Sequence, residues 1–298
     1  MTITFSRRKR AFRWLGVLFV LVIIGLYVVF PVVMGIVAVF PIKDSVGVAP
    51  DGFNEIALET SDGVTLAGWY TPTRNGAAIV LVHGAGNSRE GVRRYADLLA
   101  GHGYGVLAID LRGHGESEGA VNKLGWQGTR DIEAAAAYLQ SQPGVERIGA
   151  LGLSMGGEVL LGAASTVPAM QAIVADGATR RCTEELRALP SERSLVRSYT
   201  ARVMYATVQV LTGDDPPEPP LLNSMQQAEN TRFYLIAGGS NALEVDFNEL
   251  FAETLGARAE LWVAPDATHT GALNRYPDEY EQRVIGFFNE TLIGVSAE

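Results

Sequence analysis

Apolar positions along this chain fall into three patterns, each predicting a different kind of element. The first is a block. No charged residue lies between Trp14 and Phe40, and Leu18-Phe19-Val20-Leu21-Val22-Ile23-Ile24 is unbroken. At roughly 27 residues the block exceeds the ~20 that cross a hydrocarbon core and the ~7–15 of a leader's apolar region. It predicts a transmembrane helix over 14–40, with Pro31 placed to kink or end it. The second pattern is alternation: residues 55–59 and 64–70 flank Ser61-Asp62-Gly63, which predicts a hairpin around an Asp-Gly turn. The third is a series of short, wholly apolar runs at 77–82, 105–109, 148–151, 173–175, 233–237 and 261–263. Strands apolar on both faces and separated by helical stretches predict a mostly parallel sheet covered by helices on both sides, an α/β architecture.

The intervening helices show a period near 3.6. Val92, Tyr95, Ala96, Leu98 and Leu99 share one face, as do Ile132, Ala135, Ala136 and Leu139. Phe247, Leu250, Phe251 and Leu255 mark a third helix, and Tyr280, Val284, Phe287 and Phe288 a fourth. Between the runs ending at Ala175 and starting at Phe233 lie about 55 residues, against the ~2–6 usual for such connections. This segment carries a helical stretch over 195–211 and the run Asp214-Asp215-Pro216-Pro217-Glu218-Pro219-Pro220. A long insertion at the carboxyl edge of a sheet predicts a lid, here over 177–231. The expected organisation is a basic tail 1–13, a transmembrane segment 14–40, a linker 41–54 and an α/β domain 55–293.

Charge sharpens the ends of this picture. Arg7, Arg8, Lys9, Arg10, Arg13 and Lys43 are the only charges before Asp44, so the rest holds 18 basic against 33 acidic residues. An acidic body argues against nucleic acid as a partner. The basic cluster ahead of the apolar block predicts a cytoplasmic N-terminus and a body on the far side of the cell membrane. A cleaved leader is the alternative, and no convincing small-x-small site follows the block to favour it. One cysteine, Cys182, excludes an internal disulfide, and no His or Cys spacing suits a metal.

The chemistry centres on Gly152-Leu153-Ser154-Met155-Gly156, which follows a strand-like run and precedes a helix-like one. Strand, Gly-x-Ser-x-Gly, helix is the sequence form of a nucleophile elbow, in which a crowded turn raises one hydroxyl above the sheet edge. A serine hydroxyl needs a base, and its tetrahedral product needs amide donors. The glycine-rich turn His83-Gly84-Ala85-Gly86 leaves another strand, so the N–H groups of Ala85 and Met155 are the candidate donors. Among four histidines, His83 reads as a loop support and His102 as a helix C-terminal cap. His114 lies in a loop that could shape a pocket floor. His269, after the last strand and before the last helix, returns to the same edge as Ser154 and is the candidate base.

The runs His83-Gly84-Ala85-Gly86, Asp110-Leu111-Arg112-Gly113-His114-Gly115-Glu116-Ser117 and Gly152-Leu153-Ser154-Met155-Gly156-Gly157, with the late His269, are similar to those of serine hydrolases of the α/β-hydrolase superfamily, of the esterase, lipase and serine-aminopeptidase kind. The resemblance covers about residues 55 to 291. It implies an eight-stranded α/β-hydrolase fold, an ester or other small-molecule acyl substrate, a covalent acyl-enzyme, and neither metal nor organic cofactor. It also implies a third residue, an acid, near Asn241, and here the chain departs from the pattern. Glu244 and Asp246 follow closely, and Asp176 ends another strand at the same edge, so three carboxylates compete for the role. The missing acid at Asn241 also motivates a catalytically silent binding module. A serine peptidase is a third reading, which an acidic lid side chain placed to read a substrate amine would support, and Glu184, Glu185 and Asp214 are available.

Overall fold

A computed structural model describes residues 3–40, 43–119, 123–192 and 195–295. Met1 and Thr2 of the expected tail, Pro41 and Ile42 of the linker, and positions 193 and 194 of the insertion lie outside them. Among the described residues eight strands form one sheet: β1 (Asn54–Glu59), β2 (Thr65–Thr71), β3 (Ala77–Val82), β4 (Gly105–Ile109), β5 (Arg147–Leu153), β6 (Met170–Asp176), β7 (Arg232–Gly238) and β8 (Ala259–Ala264). Their order is β1-β2-β4-β3-β5-β6-β7-β8. The β1–β2 hairpin and the β2–β4 pair are antiparallel, and the remaining pairs are parallel.

The uniform apolarity of the central strands has a direct cause. In β3, Ala78, Val80 and Val82 enter one core while Ala77, Ile79 and Leu81 enter another on the opposite face. Helices Gly128–Gln140, Met155–Ala163 and Ala242–Leu255 supply Ile132, Leu160 and Phe247 to the first core. Helices Arg93–Gly101 and Pro277–Phe288 supply Leu99 and Phe288 to the second. Each strand therefore buries both faces, and a period of two would be wrong for it.

The register aligns the carboxyl ends. Val82 pairs with Gly152, Leu153 with Asp176, Asp176 with Ile236, and Gly238 with Ala264. The chain leaves β3 toward β4 on one side and later adds β5 on the other, so the loops after β3 and β5 diverge from a common crevice, the usual ligand position in such sheets.

The insertion after β6 carries helices Thr183–Ala188, Leu195–Thr212 and Leu221–Gln227. At the other end of the chain, helix Ile3–Ile24 passes through a π turn, Gly25–Val29, into helix Phe30–Val39. The π turn explains why Pro31 does not end the helix. Phe30 N–H bonds to Gly25 O, five residues back, and the widened turn ahead of Pro31 absorbs its missing N–H and its bulky ring. Arg10–Val39 is long and apolar enough to cross a membrane. Beyond it the expected linker is fixed to the body. Lys43 Nζ donates to Ser117 O at 3.0 Å, Gly47 N–H to Glu90 Oε2 at 3.0 Å, and Arg93 Nη2 to Val48 O at 2.5 Å.

Candidate active site

Ser154 occupies the bend between β5 and helix Met155–Ala163 with φ 50° and ψ −118°, a conformation costly for any residue with a Cβ. Two glycines make the bend possible. A Cβ on Gly152 would stand 2.5 Å from the Gly156 carbonyl carbon, and one on Gly156 would stand 2.5 Å from His83 O. Ser154 N–H donates to Asp176 O at 2.7 Å, which ties the bend to the end of β6. The hydroxyl is left over the carboxyl edge.

Ser154 and His269 are separated by 115 residues, yet Ser154 Oγ lies 2.8 Å from His269 Nε2. The other ring nitrogen, Nδ1, lies 2.6 Å from Glu244 Oε2. Glu244 is fully buried and held from several sides. Gly238 N–H donates to Oε1 at 2.6 Å, and Asn241 Nδ2 donates to Oε2 at 3.2 Å. Asn241 has a different task from the one its position suggested. It is the N-cap of helix Ala242–Leu255, accepting from Glu244 N–H, and its amide steadies the carboxylate. A hydrogen bond from the imidazole to Glu244, reinforced by the carboxylate charge and opposed by partial burial, raises the His269 pKa above 6.5.

The other two acidic candidates lie elsewhere. Asp246 is half-buried on the outer side of the same helix and faces Ser191 Oγ at 3.5 Å. Asp176 is fully buried at the end of β6, and among the described residues neither of its carboxyl oxygens finds a hydrogen-bond partner. Burial and then the Glu244 charge push its pKa up to about 7. His269 and the nearby Tyr280 hydroxyl offset this in part, although no hydrogen bond of good geometry joins Asp176 to Tyr280.

The glycine-rich loop closes the other side. The Gly84 Cα sits close enough that a Cβ on it would be 3.4 Å from Ser154 Cβ, which brings Ala85 beside the elbow. Met155 is the first residue of the helix after Ser154, where helical N–H groups have no intrahelical acceptor. His83 is buried beneath this loop. Leu111 N–H donates to its Nε2 at 3.1 Å, so Nδ1 carries the hydrogen that meets Gly84 O at 2.8 Å. Burial holds its pKa down to about 4, and that of His114, whose ring lies 4.8 Å away, likewise to about 4. Both are neutral supports of the loop. His102 caps helix Arg93–Gly101 and contacts Glu281 at 2.8 Å.

Two features were not legible in advance. Glu158, one turn after Ser154, is half-buried and accepts from Thr179 N–H, Thr179 Oγ1 and Arg180 N–H, fixing the start of the insertion to the elbow helix. A glutamate on a helix ordinarily reads as a solvated face, so the sequence carried no signal for this. Glu185 accepts from the backbone N–H groups of Arg181, Cys182 and Leu221, which occupies it as a local clasp and removes it as a reader of substrate amines. Among the described residues no group of His, Cys, Asp and Glu side chains could hold a metal ion.

The eight-stranded sheet with its covering helices has the α/β-hydrolase architecture. The chain belongs to the Hydrolase_4 family, serine aminopeptidase, S33, whose model matches residues 73–230. That span contains the Ser154 elbow and stops short of Glu244 and His269. Of solved structures, the esterase Pf2001 of Pyrococcus furiosus is 26% identical with a TM-score of 0.69, covering 86% of this chain and 98% of that one. An uncharacterized protein of Mycobacterium tuberculosis is 33% identical over 133 residues, 43% of this chain and 46% of that protein. The thiohydrolase aneE of Aspergillus aculeatus is 29% identical over 182 residues, 59% of this chain and 56% of that protein. The chain thus spans about half the length of the curated relatives it matches.

Proposed function

We propose that this chain is a membrane-anchored serine hydrolase that cleaves carboxylic esters or related acyl bonds, with the body outside the cytoplasm. The observation that carries the reading is the relay Ser154 Oγ–His269 Nε2 at 2.8 Å and His269 Nδ1–Glu244 Oε2 at 2.6 Å. In it, Ser154 Oγ attacks the substrate carbonyl carbon while its proton passes to Nε2. Glu244, held in place by its donors, stabilises the imidazolium and fixes the hydrogen on Nδ1. The N–H groups of Ala85 and Met155 bind the oxyanion. The imidazolium then protonates the leaving alcohol or thiol, and water repeats the sequence to release the acid.

Esters and related acyl bonds are put first because one similar solved structure is an esterase and one relative is named a thiohydrolase, and because Glu185, one of three acidic side chains a peptidase could use, is committed to backbone N–H groups. The transmembrane reading rests on the Arg10–Val39 helix and the basic residues ahead of it. The test is a panel of p-nitrophenyl esters, acyl thioesters and aminoacyl amides on the full chain and on Ser154→Ala. Ester or thioester turnover should fall by at least ~1,000-fold in the variant. Amide turnover alone, or equal turnover by Ser154→Ala, would overturn the reading.

A further inference from the structure

The apolar helix at the start of the chain does not end in a free tether. Pro31, Gly35 and Val39 lie buried along one face of helix Phe30–Val39, and that face packs on the insertion helix Leu195–Thr212. A Cβ on Gly35 would stand 2.7 Å from Thr207 Cβ and 2.9 Å from Met204 O, so the two backbones are in close approach. Nearer the N-terminus, the rings of Tyr27 and Tyr199 lie 6.0 Å apart. The offset in residue number is the same for Tyr27–Tyr199 as for Gly35–Thr207, so the helices run parallel, side by side for ~12 Å. At the end of this seam Val39 joins Trp126, Leu186, Ala201, Tyr205 and Val208 in a buried cluster separate from both sheet cores.

Two hydrogen-bond donors leave that cluster for one short segment behind the catalytic histidine. Tyr205 Oη donates to Arg180 O at 3.2 Å, and Trp126 Nε1 donates to Arg181 O at 2.9 Å. The elbow helix holds the same segment from a second side, where Glu158 Oε1 accepts from Arg180 N–H at 3.0 Å. The helix that carries Glu244 holds it from a third, with Asn248 Nδ2 donating to Ala178 O at 2.9 Å. The segment begins at Gly177, which backs the imidazole. Its φ is 77°, and a Cβ there would stand 2.9 Å from His269 Cε1 and 3.1 Å from Nδ1. A shift of residues 177–181 is therefore felt at the ring that must meet Ser154 Oγ.

We propose that helix Phe30–Val39 is a working part of the catalytic domain: by completing the cluster around Tyr205 and Trp126, it positions residues 177–181 against His269. Tyr205 and Trp126 are the positioning residues, and their role rests on the Ser154–His269 reading above. It does not require that the N-terminal helix cross a bilayer, because every contact in the chain of support is made within the protein. Misplacing a reacting group by about 1 Å from a distance costs on the order of 100-fold in rate, so loosening the seam should register in kcat.

The test compares p-nitrophenyl ester kinetics of the full chain in detergent with those of Gly35→Leu, Gly16→Leu, Tyr205→Phe and the double variant Gly35→Leu/Tyr205→Phe, each checked for fold by circular dichroism. Gly16 has no neighbour within 4 Å, so Gly16→Leu adds the same side chain to the same apolar helix without touching the seam. Gly35→Leu should lower kcat about tenfold or more with KM within about threefold, while Gly16→Leu stays within about twofold of the parent. Tyr205→Phe, which deletes one hydroxyl and keeps the ring, should lower kcat about fivefold. The double variant should be no slower than Gly35→Leu alone, because both changes act through one segment. Equal kcat in Gly35→Leu and Gly16→Leu, or losses that multiply in the double variant, would overturn the proposal while leaving the serine hydrolase intact. If Gly35→Leu does not fold, Tyr205→Phe and Trp126→Phe decide, and a parental kcat in both overturns it. A folded parent that turns over no ester removes the site reading and this inference with it.

Discussion

Replacing Glu244 by Gln changes a single atom in shape and should nearly abolish catalysis, for a reason visible in the donors around it. Gly238 N–H and Asn241 Nδ2 both donate to the carboxylate, one to each oxygen, and His269 Nδ1 meets the second oxygen. A glutamine that keeps its oxygen toward Gly238 turns its NH2 toward His269 Nδ1, which must then accept. The hydrogen moves to Nε2, and that nitrogen can no longer take the Ser154 proton. The opposite rotamer leaves the Gly238 N–H facing an NH2 in a fully buried position. Wrong-tautomer variants of such relays lose about 10^4 in kcat, equivalent to ~5 kcal/mol of transition-state stabilisation. We expect Glu244→Gln to lower kcat/KM for a p-nitrophenyl ester by ~10^3 to 10^4, with Asp246→Asn within about threefold of the parent. The acid limb supplies a second readout. The raised His269 pKa means that activity, which needs the neutral ring, appears only as pH rises through a midpoint above 6.5. Glu244→Gln removes the cause and should move that midpoint down. Retention of activity within tenfold, or a larger loss in Asp246→Asn or Asp176→Asn, would refute the assignment.

Three further outcomes follow from other contacts. Gly156→Ala sets a Cβ 2.5 Å from His83 O, a main-chain atom that cannot swing away. We expect a loss of about 3 kcal/mol or more, read as a melting midpoint lower by ~6–12 °C, and an unchanged midpoint would contradict the packed elbow. Asp176, with a folded pKa of about 7 against an ordinary 3.8, keeps its proton in the fold while the unfolded chain releases it. Its contribution to stability is therefore full below pH 3.8 and lost as pH rises to about 7. Asp176→Asn should be more stable than the parent at pH 8 by about 2–4 kcal/mol and little changed at pH 4, by thermal melts in detergent, and a variant less stable at pH 8 would refute this. His83→Leu removes the acceptor for Leu111 N–H and the donor to Gly84 O. It should lower kcat more than tenfold with KM little changed, because the loop carrying Ala85 loses its support, and a wild-type kcat would count against that role.

The strands were readable because burial on both faces leaves a continuous apolar run, as in β3, where the observed bounds are the predicted ones. The elbow was readable for a steric reason, since the glycines at 152 and 156 are demanded by backbone contacts that do not depend on distant sequence. The choice among Glu244, Asp246 and Asp176 was not local. It turns on where helix Ala242–Leu255 begins, which the Asn241 cap decides, and on a hydrogen-bond set contributed by the loop after β7. The pairing of the N-terminal helix with Leu195–Thr212 left no trace in either segment's period, because both are apolar on more than one face. Likewise the π turn before Pro31 arises from how freed backbone groups resettle, for which residue type gives no signature.

The central claim is that one hydroxyl, at Ser154, is the nucleophile activated by His269. The most direct measurement is intact-mass and peptide-mass analysis of the full chain after reaction with a fluorophosphonate. A single adduct on the peptide containing Ser154, formed in the parent and strongly slowed in His269→Ala, is the predicted result. An unmodified Ser154 peptide, or equal modification rates with and without the imidazole, would contradict it.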